Sequence, residues 1–295
     1  MSPNAEGALW MLASALCFTV MTVLVKLLAD RYAAPVQIFY RQLAALILLS
    51  PLILRRGRKL FQSTRPGLLA FRAGAGAAAL IFANYGYQYL PMAFANALSF
   101  TRALWIVPLS VFVLREGTNW ARVGATLVGF AGVLIVLGLT PLPDEALLPT
   151  LAALASAMLF AFTITSMKVM TRDHSIQTIL AWNAVLGVAF AAPPALLMWT
   201  WPDLGDLFIL MLMGALAIAT QACFAKALQR GDAAAIAPID YTRLLFALLF
   251  GLLFFNETPT WNAIAGGCVI AGAAIYLSWR EHRSNASSTR GGDGA

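Results

Sequence analysis

The chain repeats itself, and the repeat spans half its length. Four residues recur at the same spacing in both halves, 141 residues apart: Thr101, Arg102, Glu116 and Trp120, then Thr242, Arg243, Glu257 and Trp261. Upstream of them, Phe18 and Lys26 recur 142 residues later as Phe160 and Lys168. A period of this length, in so apolar a sequence, predicts a tandem duplication of a unit of about 140 residues.

Composition indicates what kind of unit was duplicated. Hydrophobic residues make up 60% of the 295 residues and charged residues only 11%, whereas about a quarter of a typical soluble domain is charged. Such a chain has too little polar surface to cover a soluble core, so we predict an integral membrane protein whose partner is the lipid bilayer. The net charge of +7 does not indicate nucleic-acid binding, because the basic residues do not cluster on a soluble domain.

Ten apolar runs are long enough to cross a hydrocarbon layer of about 30 Å. They cover residues 7–27, 36–54, 68–90, 93–114, 121–139, 148–170, 176–200, 207–228, 233–255 and 261–279. Only helices satisfy every backbone polar group within one lipid-exposed segment. We therefore predict an all-α integral membrane protein of ten transmembrane helices. Residues 1–140 and 147–280 form its two five-helix units, and 284–295 form a disordered cytoplasmic tail.

The basic residues predict the orientation. They concentrate in alternate connections, most densely between the second and third helices at Arg55, Arg56, Arg58 and Lys59. By the positive-inside rule both termini are cytoplasmic, in a bacterial inner (plasma) membrane. Because each unit has an odd number of spans, the two units insert in opposite senses. Inverted five-helix repeats are typical of alternating-access carriers, although duplication for symmetric packing alone would leave the same pattern.

This arrangement resembles the drug/metabolite transporter superfamily, EamA type, over residues 7–280. The resemblance rests on the two five-helix repeats and on Pro108, eight residues before Glu116 at the end of the fourth helix. The second repeat departs from it, with Leu249 at the position that matches Pro108. The resemblance implies a secondary transporter that exports amino acids or related metabolites, and the chain is also similar to aromatic amino-acid exporters of the YddG type.

Charged residues inside the predicted spans are costly in lipid and therefore informative. They are Arg41, Arg102, Asp240 and Arg243. Arg102 and Arg243 occupy equivalent positions in the two repeats, which suits a structural latch as well as a clamp for a substrate carboxylate. Asp240 replaces Ser99 of the first repeat and is our candidate for coupling to a proton. The excess of arginines favours a substrate that bears a carboxylate.

Polar and aromatic residues at membrane depth are the candidate lining of a substrate cavity, although each is equally suited to an interhelical hydrogen bond. They are Tyr40, Asn84, Tyr85, Gln88, Asn96, Ser99, Trp105, Trp182, Asn183, Gln221 and Tyr241. Helix-loosening residues predict hinges at Gly86, Pro91, Pro108 and Pro238. The resulting hypothesis is export of a small organic metabolite, with aromatic amino acids as the first choice and other amino acids, nucleoside-like or vitamin-like compounds as alternatives.

Other classes of function lack the residues they would need. The sequence has no phosphate-binding glycine-lysine motif, no histidine cluster and no paired carboxylates, so we expect no cofactor, no metal site and no enzyme. A channel would need a ring of like residues, which a single-chain inverted repeat supplies poorly. Small residues every four positions, at Ala121, Ala125 and Gly129 and again at Ala263, Gly267 and Ala271, indicate either an internal scaffold or a dimer face. Monomer and homodimer both remain open.

Overall fold

A computed structural model describes residues 3–114, 120–137, 143–170, 174–230, 237–258 and 260–290 of the chain. These residues form helices and their connections, without a strand among them. The helices are α1 Pro3–Leu27, α2 Ala34–Arg56, α3 Pro66–Tyr89, α4 Met92–Phe100, α5 Arg102–Leu114, α6 Trp120–Leu137, α7 Asp144–Met170, α8 Ile176–Leu197, α9 Leu204–Arg230, α10 Thr242–Phe255 and α11 Trp261–Arg290. Short 3₁₀ helices at Gly57–Phe61 and Ala237–Tyr241 complete them.

The described helices have the length and surface of membrane spans. Six are long and apolar enough to cross a bilayer by length and composition, and two shorter apolar ones, Val123–Val136 and Trp261–Ala273, lie within α6 and α11. Large apolar side chains cover the outside of the bundle, with Leu127, Leu134 and Leu253 each more than 60% exposed. In a membrane protein such a surface faces lipid. The prediction of an all-α membrane protein built from two inverted five-helix repeats is confirmed.

The two repeats interleave, and their contacts follow the duplication. Helix α1 packs along α9, and the equivalent pair, α7 and α3, packs in the same way. Helices that are each other's counterparts also meet: α2 packs on α8, and α6 on α11. Two equivalent elements touch only near a symmetry axis, so the pseudo-twofold axis runs between these pairs. A site formed there draws side chains from both repeats.

The predicted fourth span is interrupted where the repeated Thr-Arg pair begins. The Thr101 side chain donates to the Leu98 carbonyl at 2.7 Å, and its own N–H donates to the same carbonyl at 3.1 Å. This i to i−3 bonding tightens the helix and separates α4 from α5. In the second repeat Thr242 donates to Ile239 at 2.7 Å, where the 3₁₀ helix passes into α10. In each repeat the Thr-Arg pair thus stands where two helical elements join, α4 with α5 and the second 3₁₀ helix with α10, and we call each joined segment a discontinuous helix.

The small residues predicted as a scaffold or a dimer face are used inside the molecule. A methyl group on Gly129 would lie 2.3 Å from the Leu104 side chain, and one on Gly267 would lie 3.0 Å from Leu244. Between α6 and α11, a methyl on Gly266 would lie 2.6 Å from the Gly132 carbonyl oxygen. These glycines allow the close approach of helices within one chain, so the stripes act as scaffold.

The last helix extends beyond the predicted final span. Helix α11 is continuous to Arg290, and so it runs into the segment 284–295 for which the sequence predicts a disordered tail. No glycine or proline occurs between Trp279 and Arg290, and without a helix breaker the ladder continues. Glu116, which carries part of the sequence repeat, lies outside the described residues.

Gly266→Ala should destabilise the fold, whereas Gly272→Ala should not. The new methyl group at 266 would overlap the α6 backbone, and overpacking of this kind costs about 1–3 kcal/mol. At Gly272 no atom lies within 4 Å of an added methyl group. Thermal unfolding of the purified proteins in one detergent checks this expectation. Equal melting temperatures for the two variants would contradict close packing of α6 on α11.

Candidate functional site

The two discontinuous helices meet at the pseudo-twofold axis through equivalent residues. The rings of Phe100 and Tyr241, which correspond in the two repeats, lie 4.8 Å apart between centroids. One carboxylate bridges the two equivalent arginines: Asp240 lies 2.8 Å from the Arg243 guanidinium and 3.5 Å from that of Arg102. We call this set, together with Ser99, the axial cluster. It unites five of the residues predicted from the sequence: Ser99, Arg102, Asp240, Tyr241 and Arg243.

Aromatic side chains from the first repeat enclose the axial cluster. The Arg243 guanidinium lies over the Phe18 ring at 4.5 Å, a distance at which a cation is attracted to the ring face. Phe18 in turn meets the edge of Tyr87 with ring centroids 6.2 Å apart. Arg243 is 6% exposed and Tyr87 is 5% exposed. The cluster therefore combines charge with flat apolar surface, away from lipid.

Several polar atoms around the axial cluster have no hydrogen-bond partner of acceptable geometry among the described residues. They are the Tyr87 hydroxyl, Asp240 Oδ1 and Arg243 Nε. Tyr87 lies beside Ser99, within electrostatic range of Arg41, Arg102 and Arg243. Asp240 Oδ1 forms an ion pair with Arg243 at 2.8 Å. Buried polar atoms without partners are rare in finished cores. Here they give the cluster capacity to bind a polar ligand.

Arg41 adds to the positive charge of this region. It projects from α2 and interacts with Tyr87, and it has no ion-pair partner among the described residues. Two guanidinium groups, those of Arg102 and Arg243, therefore share the Asp240 carboxylate, and that of Arg41 adds a third positive charge near Tyr87. A charge surplus in a low-dielectric interior is costly unless something neutralises it. The surplus favours a ligand with a carboxylate or another anionic group.

Two of the predicted cavity residues serve instead in a network that joins α1, α2 and α3. Asn84 donates to the Gln37 side chain at 3.5 Å, and Gln88 donates to the Tyr32 carbonyl at 3.0 Å. Gln37 is fully buried and donates to the Val25 and Tyr32 carbonyls, both at 3.1 Å. These bonds fix helices to one another, and a contact of Asn84 or Gln88 with substrate stays a prediction.

The remaining predicted cavity residues lie away from the axial cluster or have other partners. Three of them pack against aromatic rings of other segments: Trp105 on Phe130, Trp182 on Phe61 and Tyr40 on Trp199. Two have partners on their own helix, since Asn96 donates to the Met92 carbonyl and Tyr85 contacts the Tyr89 ring. Asn183 lies near Gly76, and Gln221 is exposed on α9. Most of these contacts join neighbouring helices. They suit the alternative weighed from the sequence, interhelical packing.

Sequence reasoning missed Tyr87 and Phe18, although a signal for each was present. On α3, positions i, i+3 and i+4 share a face, so Tyr87 belongs with Asn84 and Gln88, whereas Tyr85 at i+1 turns away. Phe18 was visible only as one member of the sequence repeat. Its role as the ring beneath Arg243 depends on the packing of α1 against α10, which the sequence does not reveal.

The four predicted hinge residues lie at different kinds of position. Pro91 is the N-cap between α3 and α4, and Pro108 lies inside a continuous α5. Gly86 lies within α3, where an added methyl would be 3.2 Å from Ala153 of α7. Pro238 falls in the second 3₁₀ helix. The observed interruptions lie elsewhere, at Thr101 and at the junction before Thr242, and a hinge at any of the four stays a prediction.

With this geometry established, comparison with known proteins decides the family. A model described as the EamA-like transporter family matches the chain twice, over residues 5–138 and 147–279. The chain is a member of the EamA-like transporter family. It thus belongs to the drug/metabolite transporter superfamily, and it is a multi-pass membrane transporter of a small metabolite, not an enzyme.

Named relatives of the EamA-like protein cover nearly its whole length. It is 27% identical to a "S-adenosylmethionine uptake transporter" of Rickettsia prowazekii, over 96% of this chain and 95% of that one. It is 28% identical to a "Riboflavin transporter" of Brucella anthropi over 81% and 86%, and 25% identical to human "Solute carrier family 35 member G1" over 90% and 79%. None of these names supports the finer resemblance to aromatic amino-acid exporters.

One crystal structure shares the fold of the EamA-like protein. It superimposes with a TM-score of 0.63 at 18% identity and covers 95% of this chain and 98% of the other. At that identity the match concerns the fold alone. Among the described residues no group of three or more potential metal ligands occurs.

Asp240→Asn should destabilise the protein more than Arg102→Gln does. Loss of the carboxylate leaves Arg243, 7% exposed at its side chain, without a counter-ion, and such a loss costs about 3–5 kcal/mol. The Arg102 side chain is 32% exposed, so water compensates part of its loss. Thermal unfolding measures both, and Asp30→Asn, an exposed carboxylate, is the control. Equal melting temperatures for Asp240→Asn and Asp30→Asn would show that Asp240 does not compensate the buried arginine.

Proposed function

We propose that the EamA-like protein is a secondary active transporter of metabolites that carry an α-amino-acid head group on a flat ring system. The observation that supports this most directly is the axial cluster. It sets two guanidinium groups and one carboxylate beside aromatic rings, and charges of both signs suit a ligand that also carries both. The site lies on the pseudo-twofold axis, between the repeats.

An α-amino acid fits these charges by exchanging their partners. Its carboxylate binds the guanidinium groups of Arg102 and Arg243, which present paired N–H donors to a planar anion. Its ammonium group binds the Asp240 carboxylate, which Arg243 pairs with at 2.8 Å in the structure. Every charge of the ligand head and of these three side chains then keeps a partner, and the net charge of the site is unchanged, because a zwitterion adds none. The ring of the ligand packs on Phe18 and the Phe100–Tyr241 pair.

Two classes of compound combine such a head with a flat ring. Aromatic amino acids are one, and the sequence made them the first choice. S-adenosylmethionine is the other, since it joins an amino-acid head to an adenine ring, and it is the substrate in the name of the Rickettsia relative. Its sulfonium adds a positive charge that the surplus of arginines disfavours, so we rank it second. Riboflavin has the ring without the amino-acid head, so we rank it third although the Brucella relative carries its name.

Transport follows from motion of the two repeats about the axis. The interruptions at Thr101 and before Thr242 let the halves of each discontinuous helix change angle, so that the axial cluster is exposed to one side at a time. Both termini lie in the cytoplasm of a cell whose inner membrane contains the protein. The resemblance implies export, whereas the Rickettsia relatives are named for uptake. An alternating carrier works in both directions, and the gradient sets the net flux.

Uptake of labelled compounds into proteoliposomes tests the substrate class. We expect tryptophan or S-adenosylmethionine to enter faster when the same unlabelled compound is preloaded inside, because a carrier exchanges substrate. Riboflavin should enter at least tenfold more slowly, since a site that pairs charged groups rejects analogues lacking them. Arg102→Gln should raise KM for both amino-acid compounds. Arg230→Gln, an arginine that is 62% exposed on α9, is the matched control.

Three results would contradict this assignment. Faster uptake of riboflavin than of both amino-acid compounds would make a vitamin the preferred substrate and overturn the proposed amino-acid head group. Uptake without acceleration by preloaded substrate would indicate a channel. An equal effect of Arg102→Gln and Arg230→Gln on KM would remove the axial cluster from the binding site.

The same proteoliposomes test whether protons are coupled to transport. A zwitterionic head brings as many positive as negative charges, so its binding to the axial cluster needs no proton. We therefore expect a pH gradient to leave tryptophan exchange unchanged. Acceleration by the gradient that Asp240→Asn abolishes would instead identify Asp240 as the coupling residue, the role that the sequence suggested. Folding of the variant is verified by its thermal unfolding.

A further inference from the structure

An ion pair lies at one end of the bundle, beyond the end of α10 that is opposite the axial cluster. Lys26 ends α1, and Glu257 follows α10. The Lys26 ammonium contacts the Glu257 carboxylate and donates to the Leu90 carbonyl at 2.8 Å. The second Glu257 oxygen accepts from the Met92 N–H at 2.7 Å. The pair thus joins the first repeat, at α1 and at the α3–α4 connection, to the second repeat.

The local sequence places Glu257 in this position. Asn256 ends α10 with a left-handed backbone at φ 52°, which asparagine adopts more easily than most residues. The turn lets the Glu257 N–H donate to the Gly251 carbonyl at 3.0 Å and directs the chain back over α10. Gly251 leaves room for the carboxylate, because a methyl group there would lie 2.9 Å from Glu257 Oε2.

The pair is well shielded from water. The two side chains are 16% and 17% exposed, and the Phe255 ring lies 5.2 Å from the Lys26 ammonium. Shielding strengthens the attraction between the charges and also makes separating them costly unless each finds water or another partner. Contacts of this kind favour one of two discrete arrangements of the elements that they join.

We propose that Lys26 and Glu257, with the backbone of Leu90 and Met92, form a gate that closes this end of the transporter. The end faces outside in the orientation given above, and we call it the outer end. Opening the axial cluster to the outer side requires α1 and α10 to separate and the pair to break. The gate deepens the proposed transport function and rests on it for its physiological meaning. Its test does not depend on the substrate.

The duplicated sequence supports a gating role. Lys26 and Glu257 recur as Lys168 and Glu116, which an inverted repeat places towards the opposite side. A carrier that alternates between two inverted states needs one closure on each side. Glu116 lies outside the described residues, so we assign the gate to the outer pair alone.

A second ion pair at the outer end serves as a control. Arg31 contacts Asp206 with both N–H···O distances at 3.0 Å, but its side chain is 64% exposed. It links the α1–α2 connection to α9, and α1 already packs along α9. Loss of this pair therefore leaves α1 and α10 together.

The experiment measures access to the axial cluster from each side. Cys17, Cys223 and Cys268 are replaced by alanine, Ser99→Cys supplies the reporter, and a membrane-impermeant maleimide is added to vesicles of known orientation. We expect Lys26→Gln and Glu257→Gln each to raise the rate of labelling from the outer side about tenfold, by shifting the population towards the outward-open state. Gly251→Ala, which displaces the carboxylate without a change of charge, should act in the same direction.

The controls separate a gate from a general loss of structure. Arg31→Gln should leave labelling unchanged. The exchanged pair Lys26→Glu with Glu257→Lys should slow labelling only in part, because it restores the ion pair but not the bonds to the Leu90 carbonyl and the Met92 N–H. Equal outer labelling of Lys26→Gln and Arg31→Gln would overturn the gate. Faster labelling in a protein that carries none of the three tested compounds would keep the gate and overturn the proposed substrate class.

Discussion

The structure depends on how one carboxylate, that of Asp240, is shared between two arginines that the duplication made equivalent. Arg102 and Arg243 lie at membrane depth, where a lone guanidinium is costly, and each needs a counter-charge nearby. A strictly symmetric repeat would place serine on both sides, as Ser99 still is in the first. Asp240 supplies the missing charge, draws the two discontinuous helices together and leaves the site with a positive surplus, which a substrate must meet.

Duplication explains the scaffold, and departures from it explain the site. The pairs α1–α9 and α7–α3 repeat one packing, and the contacts of α2 with α8 and α6 with α11 lie on the axis. The residues of the axial cluster that differ between the repeats give it its carboxylate and its phenol. Asp240 occupies the position equivalent to Ser99, and Tyr241 the position equivalent to Phe100. Inverted copies make two equivalent states possible, and asymmetric side chains decide what binds between them.

Much of the architecture was predictable, because lipid restricts a chain to few solutions. Apolar runs of sufficient length had to be helices, and an odd number of spans had to invert the second copy. The interruptions at Thr101 and Thr242 were not predictable from hydropathy, since threonine there is neither charged nor a helix breaker. Side-chain bonds to the Leu98 and Ile239 carbonyls accompany them, but Thr22 and Thr163 make the same kind of bond inside continuous helices. Tyr87 was overlooked in favour of Tyr85, although on a helix the residue three positions after Asn84 shares its face and the next residue does not.

Charge predicted which residues converge on the axis more reliably than polarity did. The four ionisable residues predicted inside the spans converge in space or face the same tyrosine, whereas Asn84 and Gln88 are used in bonds between helices. The difference has a physical cause. An amide satisfies its hydrogen bonds against a neighbouring backbone, as Gln88 does with Tyr32, and so serves packing without further need. A guanidinium keeps its charge whatever its hydrogen bonds, so only an anion completes it.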